Sequence, residues 1–142
     1  MSDFNSLTAS ELGDMIGQSK IDPIELTEHF LSQIELSSVG KKIYSTVTSQ
    51  LALEQAKASK GRANSGRRLS SLDGVPISWK DLFDIEGYPC EAGSELLAGR
   101  LANRNCEVYN FAEAQGLICL GKTHMSELAF SGLGLNPVRE TP

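Results

Sequence analysis

Cysteine is scarce in this chain. The 142 residues hold three, Cys90, Cys106 and Cys119, an odd number at irregular spacing, so neither a disulfide framework nor a C-x-x-C motif is readable. Histidine is scarcer still: His29 and His124 have no H-E-x-x-H spacing, zinc needs three or four converging ligands, and no metal site is expected. Positive charge is also in deficit. Lys plus Arg total 13 against 18 Asp plus Glu, giving −5, the wrong sign for a phosphate-backbone footprint, so no nucleic-acid partner is expected. No apolar run approaches the ~20 residues of a membrane helix, and Met1-Ser2-Asp3-Phe4-Asn5 has neither the basic head nor the apolar core of a secretory signal. The expectation is a reduced, cytoplasmic chain without membrane contact.

What is present is ordinary globular usage, with 40% hydrophobic and 22% charged residues, enough for one domain and too little for two. Thr8 and Glu11 have capping-box spacing ahead of Leu12, Met15 and Ile16. Asp22 and Pro23 suit the N-cap and first position of a second helix, whose apolar face is Leu26, Phe30, Leu31 and Ile34 and which ends near residues 37–40. Ile43 to Thr48 reads as a strand, and residues 50–60 as a helix. Residues 61–71, rich in Gly, Arg and Ser, read as an exposed loop in which Arg62, Arg67 and Arg68 are solvated. Val75 to Trp79 is a short strand containing Pro76, which lacks a ladder donor and so belongs at an edge or in an irregular strand. Residues 107–115 favour helix, Gly116 ends it, and Leu117 to Leu120 is a buried strand in which Cys119 is a small core residue. The order predicts an α/β fold, with a helical lead-in over about residues 1–40 and an α/β core from about residue 42.

Gly116-Leu117-Ile118-Cys119-Leu120-Gly121-Lys122-Thr123 matches the phosphate-binding pattern G-x-x-x-x-G-K-[ST]. A phosphate cradle follows a strand and needs small, flexible residues between its glycines. Here the four intervening residues are large or apolar and a helix precedes them, so nucleotide binding is set aside. Lys122 is then expected to contact a carboxylate such as Glu127 or to lie at the surface.

Three segments, in order, resemble the amidase signature family, which includes amide hydrolases and the A-subunits of glutamyl-tRNA amidotransferases. Leu72-Asp73-Gly74-Val75-Pro76-Ile77-Ser78-Trp79-Lys80-Asp81 is similar to L-x-G-V-P-hydrophobic-x-x-K-D. Gly87-Tyr88-Pro89 followed by Gly93-Ser94 is the second segment, and Gly116 to Asn136, with Gly121-Lys122-Thr123-His124-Met125-Ser126-Glu127-Leu128-Ala129, is the third. His124 stands where the family usually has asparagine and Gln115 where alanine is common. Asn105-Cys106 replaces a common Asp-Ala helix start, with Asn105 still able to cap. Residues 138–142 match what normally follows only in part.

The resemblance implies a mixed β-sheet covered by helices, of which this chain is the N-terminal portion, 1–142, of a single domain with an incomplete sheet. It also implies a Ser-Ser-Lys mechanism acting on a small-molecule amide, without metal or organic cofactor. Lys80 matches the family's base. An exposed lysine titrates near ~10.4, and burial beside Val75, Ile77 and Trp79 would favour the neutral amine that the role needs. The plain alternative is a surface pairing of Lys80 with Asp81 or Asp84. The family's two serines lie downstream in a Gly/Ser-rich segment. Ser94, read as part of a Gly-Ser turn, Ser126, read as a helix start, and Ser131 have no such context. The chain is therefore expected to be a truncated amidase, inactive alone. The alternatives are a non-enzymatic binding or assembly fragment, or a decayed gene product.

Overall fold

The computed structural model describes residues 4–141. Helices α1 (Ala9–Gly17), α2 (Pro23–Leu36) and α3 (Gly40–Ile43) lead into strand β1 (Tyr44–Val47), helix α4 (Ser49–Asn64) and strand β2 (Pro76–Lys80). Helix α5 (Glu107–Ala114) and strand β3 (Ile118–Thr123) complete the regular elements, joined by short 3-10 turns at Phe4–Ser6, Glu95–Leu97 and Glu127–Ala129. The sheet has three strands in the order β1-β3-β2, with β1 antiparallel and β2 parallel to the central β3. Its mixed character and its helical cover agree with the α/β expectation, and β2, with its proline, lies at an edge.

Local chemistry accounts for the helix starts. The Thr8–Glu11 capping box is closed in both directions, and Asp22 accepts from the Ile24 N–H while Pro23 opens α2. Leu12, Ile16, Ile21 and Leu26 pack with Val75 in one core cluster, and Ala52, Ala56 and Ile118 form a second where α4 crosses the sheet. Trp79, Ile85, Tyr109 and Cys119 build a third on the other side of β3.

Two expectations fail here. The loop predicted from Gly61 is helix as far as Asn64, because the Arg62 guanidinium makes a paired hydrogen bond, 2.8 and 2.7 Å, to the fully buried Asp73. Arg68 likewise donates to the Ser71 and Asp73 carbonyls, so two of the three arginines read as solvated hold the turn before β2. Burial raises the Asp73 carboxyl, but the Arg62 contact and the Leu69 N–H outweigh it and hold the group below its ordinary range. The second failure is small. Cys106, not Asn105, occupies the cap position of α5, and Asn105 instead accepts from the Glu86 N–H at 2.7 Å.

Candidate active site

The phosphate-loop reading fails on backbone geometry. Residues 118–123 are extended and hydrogen-bonded on both sides, so Gly121-Lys122-Thr123 lies inside β3 rather than in a cradle. Lys122 is neither on the surface nor paired with Glu127. Its side chain is fully buried, 2.9 Å from Asp81 Oδ1, and its Nζ donates to the Pro89 carbonyl at 2.6 Å. The contact with Oδ1 is an ion pair without hydrogen-bond alignment, since that oxygen has no hydrogen-bond donor.

Lys80 closes β2, opposite Thr123, and is exposed. The expected partial burial beside Val75, Ile77 and Trp79 is not found, for a reason inherent in strands. Those residues sit at odd offsets from residue 80, and alternate side chains of a strand point to opposite faces. Trp79 turns inward at 6% exposure and packs edge-on against Phe83, with ring centroids 5.3 Å apart, while Lys80 turns out. The backbone of Lys80 is nevertheless fixed: its carbonyl accepts from the Leu82 and Phe83 N–H groups at 2.6 and 3.1 Å.

The surface-pairing alternative is also excluded. Asp81 is taken by Lys122, and Asp84 binds Arg100 through two hydrogen bonds of 2.6 and 2.9 Å. That guanidinium holds the Asp84 carboxyl down at about 2. Among the described residues the Lys80 ammonium has no hydrogen-bond or ion-pair partner.

Around this strand end the chain is tied into a frame. Asp81 N–H donates to the Thr123 carbonyl at 3.0 Å, its carbonyl accepts from Ala92 at 2.9 Å, and its Oδ2 accepts from the Glu91 N–H at 3.2 Å. The buried Ser94 hydroxyl donates to Glu127 at 2.7 Å, and Asn136 donates through its amide to the Gly93 and Met125 carbonyls. Gly93 adopts φ +65, and an added Cβ there would lie 2.7 Å from both Asn136 and the Met125 carbonyl, so only glycine fits. The Gly-Ser pair of the second sequence segment is thus a structural turn. Ser126 precedes the last 3-10 turn without capping it, its hydroxyl donating to the Ser131 carbonyl at 3.4 Å. None of the three serines is hydrogen-bonded to Lys80.

Among the described residues no group of three or more His, Cys, Asp or Glu side chains is placed to hold a metal ion. His29 contacts Asn5 at 3.3 Å and stacks edge-on with Phe4 and Phe30. Cys119 is core, as expected, and burial pushes its thiol and that of Cys90 up. The described residues include no helix long and apolar enough to cross a membrane. Sequence reasoning missed the Asp81–Lys122 pair. The signal available was a lysine inside an otherwise apolar strand, which demands a buried counter-charge.

Comparison with known proteins agrees with this frame. The Amidase family model matches residues 25–142. The chain is 37% identical over 129 residues to the A-subunit of the glutamyl-tRNA(Gln) amidotransferase of Acinetobacter baylyi, covering 91% of this chain and 26% of that protein. The corresponding protein of Thioalkalivibrio sulfidiphilus is 38% identical over 122 residues, 86% of this chain and 25% of its own length. Among solved structures, a bacterial aryl acylamidase of the amidase signature family superposes with a TM-score of 0.80 at 26% identity, covering 90% of this chain and 27% of that one. The peptide amidase of Stenotrophomonas maltophilia shares the fold at 22% identity, with a TM-score of 0.80 over 88% of this chain and 26% of its own. The chain spans about a quarter of the length of these relatives. The match to the family model over most of its length, on a frame built from the segments that first suggested it, makes this chain a member of the amidase family.

Proposed function

We propose that these residues form the base-bearing part of an enzyme that hydrolyses the C–N bond of a small carboxamide through two serines and Lys80. The observation that carries this reading is an amine held at a fixed strand end with both neighbouring carboxylates engaged elsewhere. In the proposed reaction the neutral amine takes a proton through one serine from the second. That serine's oxygen attacks the amide carbonyl, the C–N bond breaks as the leaving nitrogen is protonated, and water then cleaves the acyl-serine. Ser94, Ser126 and Ser131 are engaged in structural contacts, and in this reading both serines and the surface that desolvates Lys80 belong to the part of the relatives' length that this chain does not span. The 142 residues alone are therefore expected to be inactive.

The test is a chimera in which this chain replaces the matching quarter of the Acinetobacter baylyi relative. Release of ammonia from a simple carboxamide is expected, with Lys80→Ala lowering turnover by about 10²–10⁴. Undiminished turnover in that variant would refute the assignment, whereas Lys80-dependent amide cleavage by the 142-residue chain alone would keep Lys80 as the base and refute the expected inactivity. A second reading, that the chain serves as an assembly fragment, draws on a different observation. Phe130, Leu133 and Leu135, within one stretch of six residues, are 96%, 80% and 61% exposed, apolar surface of the kind that a partner covers.

A further inference from the structure

The lysine that the proposed chemistry leaves unused is the fully buried one. An apolar side chain would fill that position in β3 without the cost of desolvating two charges, so the pair calls for another explanation. Its geometry relative to Lys80 supplies one. Lys122 lies opposite Trp79 in the β2–β3 register and forms an ion pair with Asp81 at 2.9 Å, so it touches both chain neighbours of residue 80. Asp81 is held in turn by Thr123, Glu91 and Ala92, and Lys122 reaches on to Pro89.

We propose that Lys122 is a positioning residue for Lys80, acting through Asp81: the buried pair fixes the strand end, and its charge balance sets how readily the neighbouring amine gives up its proton. This rests on the reading of Lys80 as the base. With the pair intact, the anion next to Lys80 is cancelled by the cation beneath it. Among the described residues, the other charged or titratable groups on the elements around this strand end include Asp84, bound to Arg100, Glu91, bound to Arg139, Glu127, bound to Ser94, Cys90, Cys119 on β3, Tyr109 against Trp79, Tyr44, whose hydroxyl meets Ser78, and His124 just after β3.

The test is NMR titration of 13C-labelled lysine in the 142-residue chain, with the Lys80 signal assigned by its loss in Lys80→Arg. All samples carry His124→Asn, so that the imidazole does not contribute. Asp81→Asn leaves an uncompensated cation and is expected to lower the Lys80 midpoint by about half a pH unit or more. Lys122→Met leaves an anion and is expected to raise it similarly, and the double variant returns it close to the parent value. A merely structural role predicts that both single variants drift in one direction as the strand end loosens. Shifts of like sign, or none, overturn the proposal. Should Lys122→Met fail to fold, Asp81→Asn and the double variant decide alone, the first by lowering the midpoint and the second by restoring it. Turnover in the chimera separates the two readings. Unchanged activity of Lys80→Ala would defeat the base assignment while leaving the midpoint shifts in place. Absent shifts would defeat the coupling while leaving the loss of activity in place.

Discussion

Lys80 and Lys122 are the same residue type on adjacent strands of one small sheet, and they live in opposite environments. Lys122 sits on the central strand, fully buried, with a carboxylate and a carbonyl to hold its ammonium. Lys80 sits on the edge strand with a fixed backbone and an unengaged side chain. The difference teaches that strand position and register, more than residue identity, divide structural from chemically available lysines. One parity step along β2 separates the packed Trp79 from Lys80, and one strand step separates Lys80 from the core. The two roles depend on each other, because Asp81 would be the natural surface partner of Lys80 were Lys122 not holding it.

That division is tested most strongly by removing each amine in turn. Lys122→Met strands a buried carboxylate and is expected to cost about 3–5 kcal/mol. Lys80→Met, on the surface, should stay within about 0.5 kcal/mol. Urea denaturation of both variants measures this, and equal losses would break the comparison. Next in size is the glycine that precedes the buried lysine. A Cβ on Gly121 would lie 2.3 Å from the Thr46 carbonyl oxygen and 3.0 Å from the Val47 Cα, backbone atoms that cannot turn aside. Gly121→Ala is therefore expected to destabilise by about 1–3 kcal/mol through strain between β1 and β3. Gly61→Ala, on α4 with nothing within 4 Å, should instead stabilise by about 0.5–1 kcal/mol. Thermal melts distinguish the two signs.

The elements governed by local chemistry were legible in the sequence. The caps at Thr8 and Asp22, the edge character that Pro76 gives β2, and the apolar run of β3 each depend on a few neighbouring residues, and each is found in the fold. Lys80 was singled out only by the motif around it, and its role as base is the proposal made above. What was hidden depends on distant partners. The extension of α4 to Asn64 requires Asp73, which Arg62 meets only after the chain has turned back. The fate of Lys122 requires the parallel register with β2, and no local pattern announces which carboxylate a buried lysine will find. The exposure of Lys80 was misjudged because chain neighbours were counted as spatial neighbours, which strand alternation forbids.

The open side of the molecule makes a weaker prediction of its own. Phe130 and Leu133 lie beyond the tied frame, almost wholly exposed, in a stretch where Leu128 and Ala129 take positive φ. Self-association at high protein concentration is expected, relieved in Phe130→Ser/Leu133→Ser, with sedimentation velocity as the measurement. A sharp monomer boundary for the parent chain would show that this face needs no cover.

The smallest expected effect concerns acid. Asp84 would compete with Asp81 for a role near Lys80 were it not bound to Arg100, which draws its carboxyl to about 2 in the folded chain. A carboxyl whose folded value lies below its unfolded value contributes stability above the unfolded value of about 4 and loses it as the pH falls through about 2. Both side chains are partly in water, at 42% and 28% exposure, so screening keeps the contribution below about 1 kcal/mol. Asp84→Asn should therefore lower the melting temperature slightly at pH 7, with the difference shrinking below about pH 4 and gone well below about pH 2. The same variant should leave the Lys80 titration within a tenth or two of a pH unit, because it removes an anion already neutralised by its own partner. If the Lys80 midpoint follows Asp84 as strongly as it follows Asp81, the distinction between a clamped strand end and a generally acidic surface is lost.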